Sequence, residues 1–142
     1  MSLNSATGKK ADAMEIKRVN AEDLSPPGGH YSHVNVVGDL AFLSGQLPLD
    51  KSGKVHADKS FKEQVVQVLD NIDACLRQLN TPRESLVQVR VYVVGMAHWK
   101  DFDVIYSKWI GQHRPSRAVV GVSELHFGAL LEVEAVAVVT RK

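Results

Sequence analysis

The run Leu-Val-Gln-Val-Arg-Val-Tyr-Val-Val at residues 86–94 lies between two stretches of helical periodicity, and no other feature constrains the fold more tightly. Valine fills five of its nine positions. Branched side chains are stiff at χ1 and pack well on a pleated surface, so the run reads as a central strand. Before it, Ser60 and Glu63 form an S-x-x-E capping signal that satisfies two orphan backbone donors at a helix start. Phe61, Val65, Val68, Leu69, Ile72, Cys75, Leu76 and Leu79 then recur at helical spacing and give one apolar face. Thr81-Pro82-Arg83-Glu84 repeats the capping signal, with proline suited to the first helical position. After the strand, Trp99, Phe102, Tyr106 and Trp109 recur within residues 98–112 and predict a second amphipathic helix, with both tryptophans packed in the core.

The remaining segments read as shorter strands and loops. Residues 14–19 suit a short strand, and Ser25-Pro26-Pro27-Gly28-Gly29 must be loop. Residues 30–37 alternate as a strand, Gly38-Asp39 signals a hairpin, and Leu40-Ala41-Phe42-Leu43 runs on into Ser44-Gly45-Gln46. Residues 51–59 are polar loop, while 117–122 and 130–139 make two further strands. Setting aside the 14–19 segment, the order is β-β-α-β-α-β-β, an α+β class with one sheet and two helices over a single face. A chain of 142 residues forms one domain, expected over 14–142, with residues 1–13 a mobile polar tail rather than a secretory signal.

Charge and cysteine content narrow the partners. Seventeen basic residues against sixteen acidic ones give a net charge of +1, which offers neither nucleic acid nor a membrane surface an electrostatic footing. No apolar run approaches the roughly 20 residues a spanning helix needs. Cys75 is the single cysteine, so no disulfide forms within the chain, and the expected compartment is the reducing cytoplasm.

The two C-terminal strands carry the charges that matter for chemistry. Glu132 and Glu134 share one face of a strand, because side chains alternate with period two, and their neighbours are apolar. A carboxylate desolvated in this way has a raised pKa unless a cation offsets it. Arg117 opens Arg-Ala-Val-Val-Gly-Val, a run with no other charge, and is the natural cation. Two uses remain open from the pattern: a structural pair across strands, or a site in which the two groups open onto one cleft.

A resemblance favours the second. Pro115-Ser116-Arg117-Ala118-Val119-Val120, followed fifteen positions after the arginine by Glu132-Val133-Glu134-Ala135-Val136-Ala137, resembles the P-A-R-S…E-I-E-A-x-A signature of the Rid (reactive intermediate deaminase) family. Gly29-His30-Tyr31-Ser32, Phe42-Leu43-Ser44-Gly45-Gln46-Leu47-Pro48-Leu49 and Gln67-Val68-Leu69-Asp70-Asn71-Ile72 resemble three further family segments, in order. The resemblance spans residues 25 to 140. It implies a chorismate-mutase-like fold and a homotrimer with sites in clefts between subunits. It also implies hydrolysis of small carboxylate-bearing imines to 2-oxo acid and ammonia. Arg117 would grip the substrate carboxylate, Glu132 would activate water, Tyr31 would line the pocket, and the Ser44-Gly45 backbone would donate hydrogen bonds. An imine carbon is already electrophilic, so neither cofactor nor metal is expected.

This chain departs from the family at several points. Asp103 takes the place of an asparagine on the second helix, where an added carboxylate would oppose an anionic substrate. Val119 replaces a common cysteine, and His30, His33 and His126 replace a proline, a glutamine and a proline. His30 and His33 would face opposite sides of their strand and do not suggest a metal site, whereas the resemblance sets His126 near the pocket mouth. Two other readings compete with the enzyme: a non-catalytic, carboxylate-binding regulatory trimer, and a ribonuclease or translation inhibitor, which the charge balance opposes. The deaminase reading requires Arg117 and Glu132 to open onto a common cleft rather than lie on opposite sides of the sheet.

Overall fold

The computed structural model describes residues 14–139, so the expected tail at 1–13 lies outside the described residues. The strands are β1 (Ile16–Val19), β2 (Val34–Val37), β3 (Leu40–Gln46), β4 (Leu86–Val94), β5 (Ser116–Val122) and β6 (Leu131–Val138), and the helices are α1 (Phe61–Gln78) and α2 (Trp99–Ile110). They form one six-stranded sheet in the order β1-β2-β3-β6-β4-β5. The β4–β5 pair is parallel and all other pairs are antiparallel, so the sheet is mixed. The expected α+β order therefore holds, and the short strand expected within residues 14–19 is present as β1 at the sheet edge.

Local chemistry explains the helices. Ser60 caps α1: Glu63 N donates to Ser60 Oγ at 3.2 Å, and Ser60 N donates to Glu63 Oε1 at 3.2 Å. The α1 face bearing Val65, Val68, Leu69, Ile72 and Cys75 is buried against the sheet. Gly111, at φ 65°, ends α2 in a backbone conformation that a side chain would strain. Proline 82 precedes a single 3-10 turn (Arg83–Ser85) rather than starting a capped helix, and the Thr81 hydroxyl donates instead to Val138 O at 3.4 Å.

Both helices cover one face. Val89, Val91 and Val93 of β4 and Leu131, Val133, Ala135 and Ala137 of β6 point into this core, where they meet Phe102 of α2. Two polar clamps fix the layer. Arg83 donates to both Asp73 carboxylate oxygens at 2.9 Å, and Trp109 Nε1 donates to the same group at 3.0 Å, tying α1 to α2. Fully buried Gln64 donates to Lys59 O at 3.0 Å and accepts from Leu130 N at 2.9 Å, which pins the segment leading into β6.

Among the described residues the opposite face of the sheet has no covering layer. Ile16, Leu40, Phe42, Val120 and Val138 are exposed on it, Phe42 by 46%. Strand β2 begins at Val34, not at residue 30, because the preceding segment is held by side chains. His33 N donates to Asn20 Oδ1 at 3.0 Å, and His33 Nδ1 accepts from Ala21 N at 3.0 Å.

Candidate active site in two halves

Arg117 sits on edge strand β5 in register with Val89, whose side chain enters the core, so Arg117 projects toward the helices. Its guanidinium carbon lies 5.2 Å from the Trp99 ring centre and 4.9 Å from that of Tyr106, both on α2. Aromatic faces attract a guanidinium and hold it flat. Nη1 donates to Asp103 Oδ1 at 3.1 Å, and the remaining N–H groups have no hydrogen-bond partner among the described residues. The group opens onto a cleft of about 400 Å³ that Asp103, Tyr106, Ser107, His113 and Arg114 also line. A planar fork with one edge engaged and donors to spare can take one carboxylate.

Glu132 belongs to the other face. It stands opposite Tyr92 in β4, between core residues Leu131 and Val133, and so projects away from the helices. Its carboxylate lies so close over Gly45 that a Cβ there would collide with Oε2. The absence of a side chain at residue 45 is what admits it. Glu132 makes no ion pair and accepts no hydrogen bond among the described residues; burial, then the neighbouring Glu134 charge, raise its pKa, against a smaller opposing pull from His126. Glu134 is satisfied separately, accepting a short hydrogen bond from Tyr92 OH and lying 3.8 Å from Arg90.

Beside Gly45 a cavity of about 610 Å³ is lined by Tyr31, His33, Gln46, Leu49, His126 and Phe127 among others. Tyr31 is exposed at this cavity, and His126 lines it as expected, followed by Phe127 at φ 65°. Ser44 is not a spare donor: its amide donates to His33 O at 2.9 Å and its hydroxyl to Ser32 O at 2.6 Å, joining β3 to the 30–33 loop.

The structure thus sets Glu132 against Gly45, which with Tyr31 lines one cavity, and Asp103 and Arg117 on a separate cleft. Within one chain Arg117 and Glu132 do not meet, and the expectation of a shared cleft is corrected. Period two fixes that Glu132 and Glu134 share a face, but the face Arg117 takes depends on the parallel β4–β5 register. The structural alternative fails too, since Arg117 pairs with Asp103 and not with a glutamate. Trp99 packs against the core as its helical spacing predicts and Tyr106 lies within it, but both also flank Arg117, a second role that their apolar periodicity alone does not announce. Nothing in the sequence marks Tyr92 and Arg90. The seven-residue spacing of Trp99 and Tyr106, two helical turns, was the available sign of a shared platform.

The raised pKa of Glu132 has a sign that can be measured. A carboxyl that holds its proton more tightly when folded lowers stability as pH rises through that pKa, and costs nothing below its unfolded value of about 4.3. Glu132→Gln is therefore expected to raise the melting temperature at neutral pH, with the gain vanishing below about pH 4. Thermal denaturation across pH measures this, and a variant destabilised at pH 7 would contradict a desolvated, unpaired carboxylate.

Comparison with known proteins gives a consistent result. Residues 22–139 match the family described as endoribonuclease L-PSP. The chain is 36% identical over 126 residues to a RutC family protein of Aquifex aeolicus, covering 87% of this chain and 99% of that one. It is 32% identical over 119 residues to protein HMF1 of Saccharomyces cerevisiae, covering 84% and 92%. Among solved structures, that of yeast YEO7 aligns with TM-score 0.85 and 30% identity over 89% of this chain and all of the other. YyfA of Yersinia pestis, described as a Rid family protein of unknown function, aligns with TM-score 0.84 and 28% identity over 88% and 100%.

Proposed function

The chain belongs to the endoribonuclease L-PSP, or Rid, family, and from that premise we propose that it is a cofactor-free hydrolase of small carboxylate-bearing imines. Arg117 anchors the substrate carboxylate and Glu132 activates water. Water adds through oxygen to the imine carbon while Glu132 takes its proton. Glu132 returns this proton to the nitrogen, which leaves as ammonia with its bonding pair, while the hydroxyl proton passes to water and the carbon–oxygen bond becomes the carbonyl of a 2-oxo acid. One positioned general base supplies about 10²–10⁴-fold.

The observation that carries this reading is Glu132: half-buried, with no ion pair among the described residues, its pKa raised by burial, and seated over Gly45, the kind of environment that tunes a carboxyl for general-base work. Arg117 lies on the other side of the sheet, so a deaminase site within one chain fails the requirement of a common cleft, and the proposal is of a site shared between copies of the chain. The exposed apolar face beside Glu132 supports such an assembly, since contiguous apolar surface of this kind marks association. The family resemblance makes that assembly a trimer. The near-neutral charge favours a small substrate over RNA, although the family carries a ribonuclease description.

The test is turnover of imines generated in situ by an amino-acid oxidase, wild type against Glu132→Gln. The expected result is a loss of about 10²–10⁴-fold in the variant. Equal rates in both, or a wild-type rate no faster than buffer, would leave a carboxylate-binding module as the better reading.

A further inference from the structure

The cleft at Arg117 contains an acid as well as a base. Asp103 Oδ1 accepts from Arg117 Nη1 at 3.1 Å, and both side chains line the same cleft, 46% and 26% exposed. The other two basic side chains lining it each turn part of their donor set to backbone. Arg114 Nη1 donates to Gly111 O at 2.7 Å and His113 O at 2.9 Å, and the His113 ring lies 2.7 Å from Leu86 O. Arg117 and Asp103 thus present a guanidinium and a carboxylate side by side, with the exposed Arg114 guanidinium farther along the same cleft.

A site meant only for a carboxylate would gain from a neutral residue at 103, because a neighbouring negative charge repels the ligand. A protonated imino acid is different: its carboxylate and its iminium nitrogen are adjacent, with opposite charges. It can lie antiparallel to the Asp103–Arg117 pair, carboxylate against guanidinium and iminium N–H against Asp103. The 2-oxo acid product keeps the carboxylate but has lost the cation.

We propose that Asp103 is a specificity-determining residue that makes this cleft select a zwitterionic imino acid over the anionic 2-oxo acid. The inference rests on the reading of Arg117 as carboxylate anchor. On release of ammonia the bound species loses its partner at Asp103 and meets repulsion there, which speeds departure of the product.

The test uses L-alanine and pyruvate, a zwitterion and an anion of the same carbon skeleton, titrated by calorimetry into wild type, Asp103→Asn and Arg117→Ala. In Asp103→Asn, alanine is expected to bind about threefold more weakly and pyruvate about threefold more tightly, so their ratio moves about tenfold. Tighter binding of both would mean that Asp103 only competes for Arg117. Weaker binding of both would mean that it only orients the guanidinium, and no change would mean that it is a bystander; each of these overturns the proposal. Arg117→Ala should lose both ligands. If it binds both as wild type does, or if wild type binds neither, the anchor reading itself falls.

Discussion

Co-refolding equal amounts of Arg117→Ala and Glu132→Gln chains is expected to recover about a quarter of wild-type deaminase turnover. Each variant alone should fall by about 10²–10⁴-fold. The recovery follows from the geometry. Arg117 projects to the helix side of the sheet and Glu132 to the bare side, so the proposed site takes the arginine of one copy and the glutamate of another. In a random mixture each shared site finds an intact arginine half the time and an intact glutamate half the time, hence about one quarter. Were the pair to act within one chain, every chain in the mixture would lack one partner and nothing would return. The quarter-level recovery, read in the same oxidase-coupled assay, thus tests the shared site directly.

Phe42→Asp should abolish assembly and turnover together while leaving the single chain folded. Phe42 lies on the bare face of β3, opposite Asn35 of β2 and Val136 of β6, and solvent reaches it in the isolated chain. A charge there costs the monomer little. In a packed interface it would be buried without a partner, a loss of about 3–5 kcal/mol per contact, or more than about a hundredfold in dissociation constant. Sedimentation should show a monomer with unchanged circular dichroism. An active variant of unchanged mass would mean that this face is not the contact surface.

The fold was largely legible because its main elements have strong, separable periods. Ser60 with Glu63, the apolar face of α1 and the valine run of β4 each specify one local state, and the sheet then has one way to bury them. The weaker elements depended on distant partners. Strand β1, Ile-Lys-Arg-Val, has little apolar surface and exists by pairing with β2 at the sheet edge. His30 to His33 alternate like a strand but are held as a loop, since Asn20 and Ala21 take the hydrogen bonds of His33.

The site was legible residue by residue but not in its arrangement. That Glu132 would be desolvated followed from its apolar neighbours in sequence. The side on which Arg117 would emerge did not, because it is set by a parallel pairing reached through α2, and no short-range pattern records that register. The partner of Arg117 was hidden for the same reason: Asp103 reaches it only once the helix is laid on the sheet.

Gln64 shows where the accuracy of Glu132 is lodged. The amide of this residue, with no solvent contact, takes the N–H of Leu130 two residues before the carboxylate. The strand bearing Glu132 is thus aligned from the helix side of the sheet, by an interior side chain of α1. The cavity wall at His126 takes no part in this bond, so a change there leaves the alignment of Glu132 in place.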